Sequence, residues 1–145
     1  KPWAKYSEPI SSWSEDRGIL KSLTGPGDPK NSQDGSGMFL MYSPTIAGST
    51  QWIRMPLGKE RTVSSSKTYW WTEHYEFGGV RPPASWKLFY KSGSQWKPVP
   101  NAHGYGVALD QYNEVKFDPV TTDELKIEMQ FQPGRCGALI RWRVE

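Results

Sequence analysis

The chain has 145 residues, 18 of them Lys or Arg against 15 Asp or Glu, a formal net charge of +3, and 14% aromatic residues including eight Trp. That length suits one domain burying roughly two-thirds of its unfolded surface. Its basic residues are dispersed, without the clustered footprint that follows nucleic-acid phosphates, so a nucleic-acid partner is not expected. No apolar stretch approaches the roughly 18 residues of a membrane-spanning helix. The single Cys136 cannot form an internal disulfide, and no Cys/His spacing suits zinc. Lys1-Pro2-Trp3 is not a signal peptide, and the abrupt start suggests a domain excised from a larger enzyme.

Residues 1–37 are expected to include an irregular N-terminal arm. From Ser14 to Gly37 the turn-forming runs Gly25-Pro26-Gly27-Asp28-Pro29 and Asp34-Gly35-Ser36-Gly37 suit either a wandering linker or a loop that forms a site or holds an ion. Strands are then expected near 38–42, 51–57, 62–71, 85–91, 95–99, 112–118, 124–131 and 138–144. Ile53, Met55 and Leu57 share one face, while Ser66, Thr68 and Trp70 give the next strand an inward side with small polar members. Trp86, Leu88 and Tyr90 repeat the pattern, and Asn113, Val115 and Phe117 follow it. The clearest alternation sets Leu125, Ile127, Met129 and Phe131 against Glu124, Lys126, Glu128 and Gln130. Ala138, Ile140, Trp142 and Val144 close the series. With 14 Gly and 12 Pro breaking any long helix, the class is all-β, an antiparallel β-sandwich.

If each strand reverses the one before, the connections sort to two ends. Tight turns at Gly58–Arg61, Ser92–Ser94 and Pro119–Asp123 fall at one end. The longer loops, Ser43–Thr50, Thr72–Ala84, Pro100–Gln111 and Gln132–Gly137, fall at the other, which is where a binding site is expected.

Several stretches resemble one family. The run from Trp86 to Val99 (WKLFYKSGSQWKPV), then Tyr112 to Thr122 (YNEVKFDPVTT) and Leu125 to Glu128, is similar to discoidin-like (galactose-binding-like, factor V/VIII type C) jelly rolls, in particular those at the C-terminal ends of bacterial glycoside hydrolases such as β-L-arabinofuranosidases. Asn31-Ser32-Gln33-Asp34-Gly35, Gln51 to Gly58 (QWIRMPLG) and Gly78 to Trp86 (GGVRPPASW) extend the resemblance over about residues 31–144. It implies an eight-stranded jelly roll whose long loops bind sugars, and a secreted, periplasmic or cell-surface bacterial location. It also implies a structural calcium beside the Asp-Gly loop, with Asp34 as candidate ligand. Arg141 stands where relatives often place a carboxylate, and a cation there opposes calcium.

Sugar recognition needs flat apolar rings for the C–H face of a pyranose and polar groups for its hydroxyls. Residues 72–81 contain both: Tyr75 and Phe77 as a platform, with Glu73, His74, Glu76 and Arg81 toward hydroxyls. The bland alternative has Phe77 plugging the sandwich end and Arg81 pairing with Glu76. Trp71 fits core or rim, and Tyr105, between Gly104 and Gly106, is free to lie on a ligand or to fold back over the core. Arg135 is a solvated hairpin charge or, converging with Arg81, a binder of a uronate carboxylate in an acidic plant cell-wall glycan.

Catalysis is not expected. Glu73 and Glu76 share one loop, a poor arrangement for the facing carboxylates of a glycosidase, and His74 and His103 are too few for a catalytic metal. The expected partners are an oligo- or polysaccharide and the catalytic domain of the parent chain, with the module itself monomeric. The alternative is a structural accessory domain that packs on that catalytic domain and binds no sugar.

Overall fold

The structure, a computed structural model, describes residues 10–13 and 21–145. Residues 1–9 and 14–20 of the expected arm lie outside the described residues. Among the described residues seven strands form, β1 (Ile10–Ser11), β2 (Phe39–Met41), β3 (Thr50–Trp70), β4 (Ser85–Ser92), β5 (Gln95–Pro98), β6 (Asn113–Gln130) and β7 (Gly137–Val144), with one 3-10 turn at Ser22–Thr24. All pairings are antiparallel, in the order β2-β7-β3-β6-β4-β5, and β1 adds to β3.

β3 and β6 form one ribbon that serves both layers of the sandwich. Near one end Thr50 pairs with Gln130 and Pro56 with Glu124; near the other Ser65 pairs with Lys116 and Thr68 with Asn113. Between them the register shifts twice, after Pro56 and after Val63. β1 and β4 attach to the first end, with β5 beyond β4, and β7 attaches to the second, with β2 beyond it. Rolling the ribbon brings the two groups face to face, so Trp70 from one layer meets Trp86 from the other edge-on at 5.4 Å.

This corrects the expected strand count. The strands placed at 51–57 and 62–71 are one strand, as are those at 112–118 and 124–131, so Gly58–Arg61 and Pro119–Asp123 are not turns. Gly and Pro inside a strand mark bulges and bends as readily as reversals, and here they lie where the ribbon shifts register. The Ser92–Ser94 turn stands, joining β4 to β5.

The expected inward faces are the buried ones. Leu125, Ile127, Met129 and Phe131 are all at most 2% exposed, and Ser66, Thr68 and Trp70 at most 1%. Ser66 is tolerated there because its hydroxyl accepts the Trp142 indole N–H at 3.0 Å. β7 is covered on its other side too. Leu139 and its cross-strand partner Phe39 are buried, and the 3-10 turn carrying the fully buried Leu23 packs against β7. Of the described part of the arm, Ile10–Ser11 pairs with β3 and the segment at Ser22–Thr24 docks on β7.

Ile127→Ala, which empties a fully buried position, is expected to lower the unfolding free energy by about 2 to 5 kcal/mol. Lys59→Ala, on an exposed position, is expected to change it by less than about 0.5 kcal/mol. Urea denaturation of the two variants beside the native chain measures both.

Candidate functional site

Three of the four long connections meet at one rim. The Gly48 N–H donates to the Arg135 carbonyl at 2.8 Å and the Phe131 N–H to the Ser49 carbonyl at 3.0 Å, joining the β2–β3 loop to the β6–β7 loop. The Cys136 N–H donates to the Gly79 carbonyl at 2.7 Å, and the Gln132 amide to the Pro82 carbonyl at 2.8 Å, adding the β3–β4 loop. Ser32 brings in the arm and the β5–β6 loop: its N–H donates to the Asp110 carboxylate at 2.8 Å, its hydroxyl accepts the Asp110 N–H at 2.7 Å, and its carbonyl accepts the Thr72 N–H at 2.9 Å.

The β3–β4 loop, residues 71–84, is shaped from within by arginine. Arg81 donates from Nη1 to the carbonyls of Glu73 and Val80 and from Nη2 to those of Tyr75 at 2.5 Å and Glu76 at 2.8 Å. Arg135 donates to the Gly78 carbonyl. An irregular loop must find partners for its backbone carbonyls, and one planar guanidinium serves four of them. Close approach also fixes residue type: a Cβ on Gly79 would lie 2.6 Å from the Tyr42 ring, so only glycine lets that ring lie against the loop.

With its polar backbone satisfied inward, the loop turns its rings outward. Phe77 is 88% exposed and Tyr75 66%, and across Gly79 stands Tyr42 at 54%. His74 packs on Tyr75 with ring centroids 4.4 Å apart. Beside His74 an open depression of about 420 Å³ is lined by Lys30, Asn31, Gln33, Asp34 and Gly35. Glu73 is half-buried and Glu76 exposed; among the described residues neither carboxylate has a hydrogen bond or ion pair.

Glu73, His74, Tyr75, Phe77, Arg81 and Arg135 therefore gather in and around one loop. Phe77 does not plug the sandwich end, and Arg81 meets the Glu76 carbonyl, not its carboxylate. Arg81 and Arg135 do converge, but on loop carbonyls. Tyr105 is elsewhere. Its ring stands edge-on to Trp86 at 5.0 Å and its hydroxyl accepts the Leu88 N–H at 3.0 Å, so it folds back over the core and burial raises its pKa. Trp71 is likewise half-buried against the core. Tyr42 joins the site from the start of the β2–β3 loop, and its ring lies there because the residue it faces in another loop is glycine.

Asp34 forms a tight turn of its own. Its carboxylate accepts the Ser36 hydroxyl at 2.6 Å and the backbone N–H groups of Ser36 and Lys30, and these bonds, the hydroxyl first, lower its pKa to about 2. Its oxygens are thus engaged by donors, a poor start for a calcium ligand.

No protein-family model matches the chain. Solved structures of similar fold span nearly all of it. A chain from the beta-galactosidase of Streptococcus pneumoniae superposes with a TM-score of 0.73 at 16% identity, covering 94% of this chain and 90% of that one. Chitosan-binding module 1 of a chitosanase/glucanase from Paenibacillus sp. IK-5 gives 0.68 at 14% identity, covering 98% and 97%. A pectin binding carbohydrate binding module gives 0.61 at 17%, covering 97% and 90%. At these identities the likeness establishes the fold alone, an antiparallel β-sandwich of the jelly-roll kind.

Two outcomes follow from the geometry. Arg81→Ala removes the donor that four loop carbonyls share and leaves that of Glu76 without one, so it should speed amide hydrogen exchange across residues 73–80 at least tenfold while leaving exchange in β6 unchanged. Because folding lowers the Asp34 pKa from 3.8 to about 2, its ionised form stabilises the fold fully above about pH 4. That contribution is lost as pH falls toward 2, so the unfolding free energies of native and Asp34→Asn chains should converge over that window in acid-denaturation curves.

Proposed function

We propose that the chain is a non-catalytic carbohydrate-binding module of a polysaccharide-degrading glycoside hydrolase, and that it binds a plant-type glycan through the loop rim. The observation that carries this is the exposure of Tyr75 and Phe77, two large rings held outward on a loop whose own backbone is tied down by Arg81 and Arg135. Rings left largely in water suit the C–H face of a sugar. Around them stand hydroxyl-binding groups of both kinds, the unpaired carboxylates of Glu73 and Glu76 and the depression walled by Lys30, Asn31, Gln33 and Asp34. The similar modules from other proteins, described by the names chitosan-binding and pectin binding, support a polysaccharide ligand.

Arg81 spends both terminal nitrogens on the loop, whereas Arg135 uses one donor there and keeps others for a ligand. Of the two arginines, it is thus Arg135 that meets an acidic plant cell-wall glycan. Glu73 and Glu76 take part as hydrogen-bond acceptors, with no role as acid and base. A polysaccharide ligand places the module outside the cytoplasm, secreted, periplasmic or on the cell surface, as a monomer beside the catalytic domain of its own parent chain.

A site this open, with few rings, supports binding of roughly −4 to −6 kcal/mol, in the high micromolar to millimolar range. Affinity electrophoresis on pectic, arabinan and galactan polysaccharides should retard the native chain, and Tyr75→Ala or Phe77→Ala should weaken that retardation at least tenfold. Retardation unchanged in both variants would move the site off this rim. No retardation on any glycan would favour the accessory domain that packs on a catalytic partner, for which the exposed Val107 and Leu109 of the β5–β6 loop offer apolar surface.

A further inference from the structure

The fold family implies a structural calcium near the arm, and the donors in this chain do not suit one. Calcium takes six to eight oxygens, carboxylates prominent among them, at about 2.3–2.6 Å. The oxygens that converge beside β7 are the carbonyls of Gly25 and Gly27 and the carboxylate of Asp28, and each already faces a donor. Arg143 donates from Nη1 to the Gly25 carbonyl at 3.0 Å and from Nη2 to the Gly27 carbonyl at 2.5 Å, and its Nη2 lies 3.8 Å from the Asp28 carboxylate. Arg141 donates from Nε to the same Gly27 carbonyl at 3.3 Å. Tyr112 donates its hydroxyl to Asp28 at 2.7 Å. The Asp34 carboxylate is taken up by Ser36 and Lys30. Among the described residues no group of three His, Cys, Asp or Glu side chains gathers to hold a metal ion.

We propose that Arg141 and Arg143 serve as a built-in cation that closes the arm onto β7, so that the module assembles its rim without calcium. Alternate residues of one strand project to the same face, so the two guanidinium groups stand together on the side of β7 away from the central core. There they meet an oxygen-rich turn that no apolar surface could satisfy. The Arg143 side chain is only 8% exposed. A charge so far out of water must be matched by hydrogen-bond acceptors, and the forked guanidinium takes two carbonyls at once where an ammonium is a single point charge. A divalent cation entering the same oxygens would face two fixed positive charges.

The clamp also reaches the rim through the chain. The Ser22 hydroxyl donates to the Gly37 carbonyl, closing the base of the arm, and Leu23 is buried beneath it. A few residues beyond the clamped turn, Ser32 holds Asp110 and the Thr72 N–H, next to Glu73. Lys30 to Gly35, the wall of the depression beside His74, is thereby set in place by the arm that the arginines hold.

Stability and proteolysis of the full chain test this with no glycan present, so the result stands apart from the proposed sugar site. Thermal melting in EDTA and in millimolar calcium chloride should give the same midpoint to within about a degree. In Arg141→Ala/Arg143→Ala, trypsin cleavage after the exposed Lys21 and Lys30 should accelerate at least tenfold in both buffers. Arg141→Lys/Arg143→Lys, which keeps the charge without the fork and preserves the fold if the alanine pair does not, should be cleaved several-fold faster than the native chain. A midpoint that falls in EDTA or rises with calcium would overturn the proposal by revealing a metal site. Native-like resistance to trypsin in either double variant would overturn the clamp itself.

Discussion

The two layers are pinned at one carbonyl. The indole N–H of Trp70 in β3 and that of Trp86 in β4 both donate to the Gly106 carbonyl, at 3.2 and 2.8 Å. The two indoles come from opposite layers of the rolled sheet, and the acceptor lies on the β5–β6 loop. Both oxygen lone pairs are thereby used, and neither buried N–H is left to pay the about 1–3 kcal/mol of an unmatched donor. Gly106 can be only glycine, since a Cβ there would lie 2.7 Å from the Asn113 side-chain oxygen. That oxygen in turn accepts the Ala108 N–H, and the Asn113 amide donates to the Ala108 carbonyl, which holds the loop in position.

Closure at this point decides where the rim can be. Once Trp70 and Trp86 meet across the core, the strand ends that carry them face the same way, and the β3–β4 loop between them is held at that end. The loops around it are bound to one another mainly through backbone groups, with Arg81, Arg135, Gln132 and Ser32 completing the network. Arginine recurs in this protein as the solvent of irregular backbone. Arg81 does this for the rim and Arg141 with Arg143 for the arm, in each case matching carbonyls that no strand partner reaches. Rigid backbone under exposed rings suits a weak, open ligand site, because little further ordering is needed when a ligand arrives.

Much of this was legible along the chain. The alternation at Leu125, Ile127, Met129 and Phe131, and the small polar inward side at Ser66 and Thr68, locate buried faces correctly because side chains on a strand must alternate. The 72–81 segment stands out because rings and charges sit together in a stretch too long for a turn. Gly58 and Pro119 misled in the opposite direction. They signal a break, but the break is a shift within a continuous ribbon, because each strand keeps hydrogen-bonding its partner across it. Tyr105 between two glycines was open to either a ligand-facing or a core-facing ring, and its packing on Trp86 shows that flexible neighbours serve an inward fold as well as an outward one.

The sequence by itself determined the class, the inward faces and the segment that carries the rings, since these follow from local periodicity and from residue types within a few positions of one another. The tertiary structure alone decided that four apparent strands are joined into the two of a rolled ribbon, that Tyr42 comes to face Gly79, that Arg81 spends itself on its own loop, and that Arg141 and Arg143 hold the turn at Gly25 and Gly27. Each of these is a contact between positions whose separation along the chain says nothing about their distance in space, and a guanidinium reveals its partner only when the fold has brought a carbonyl to it.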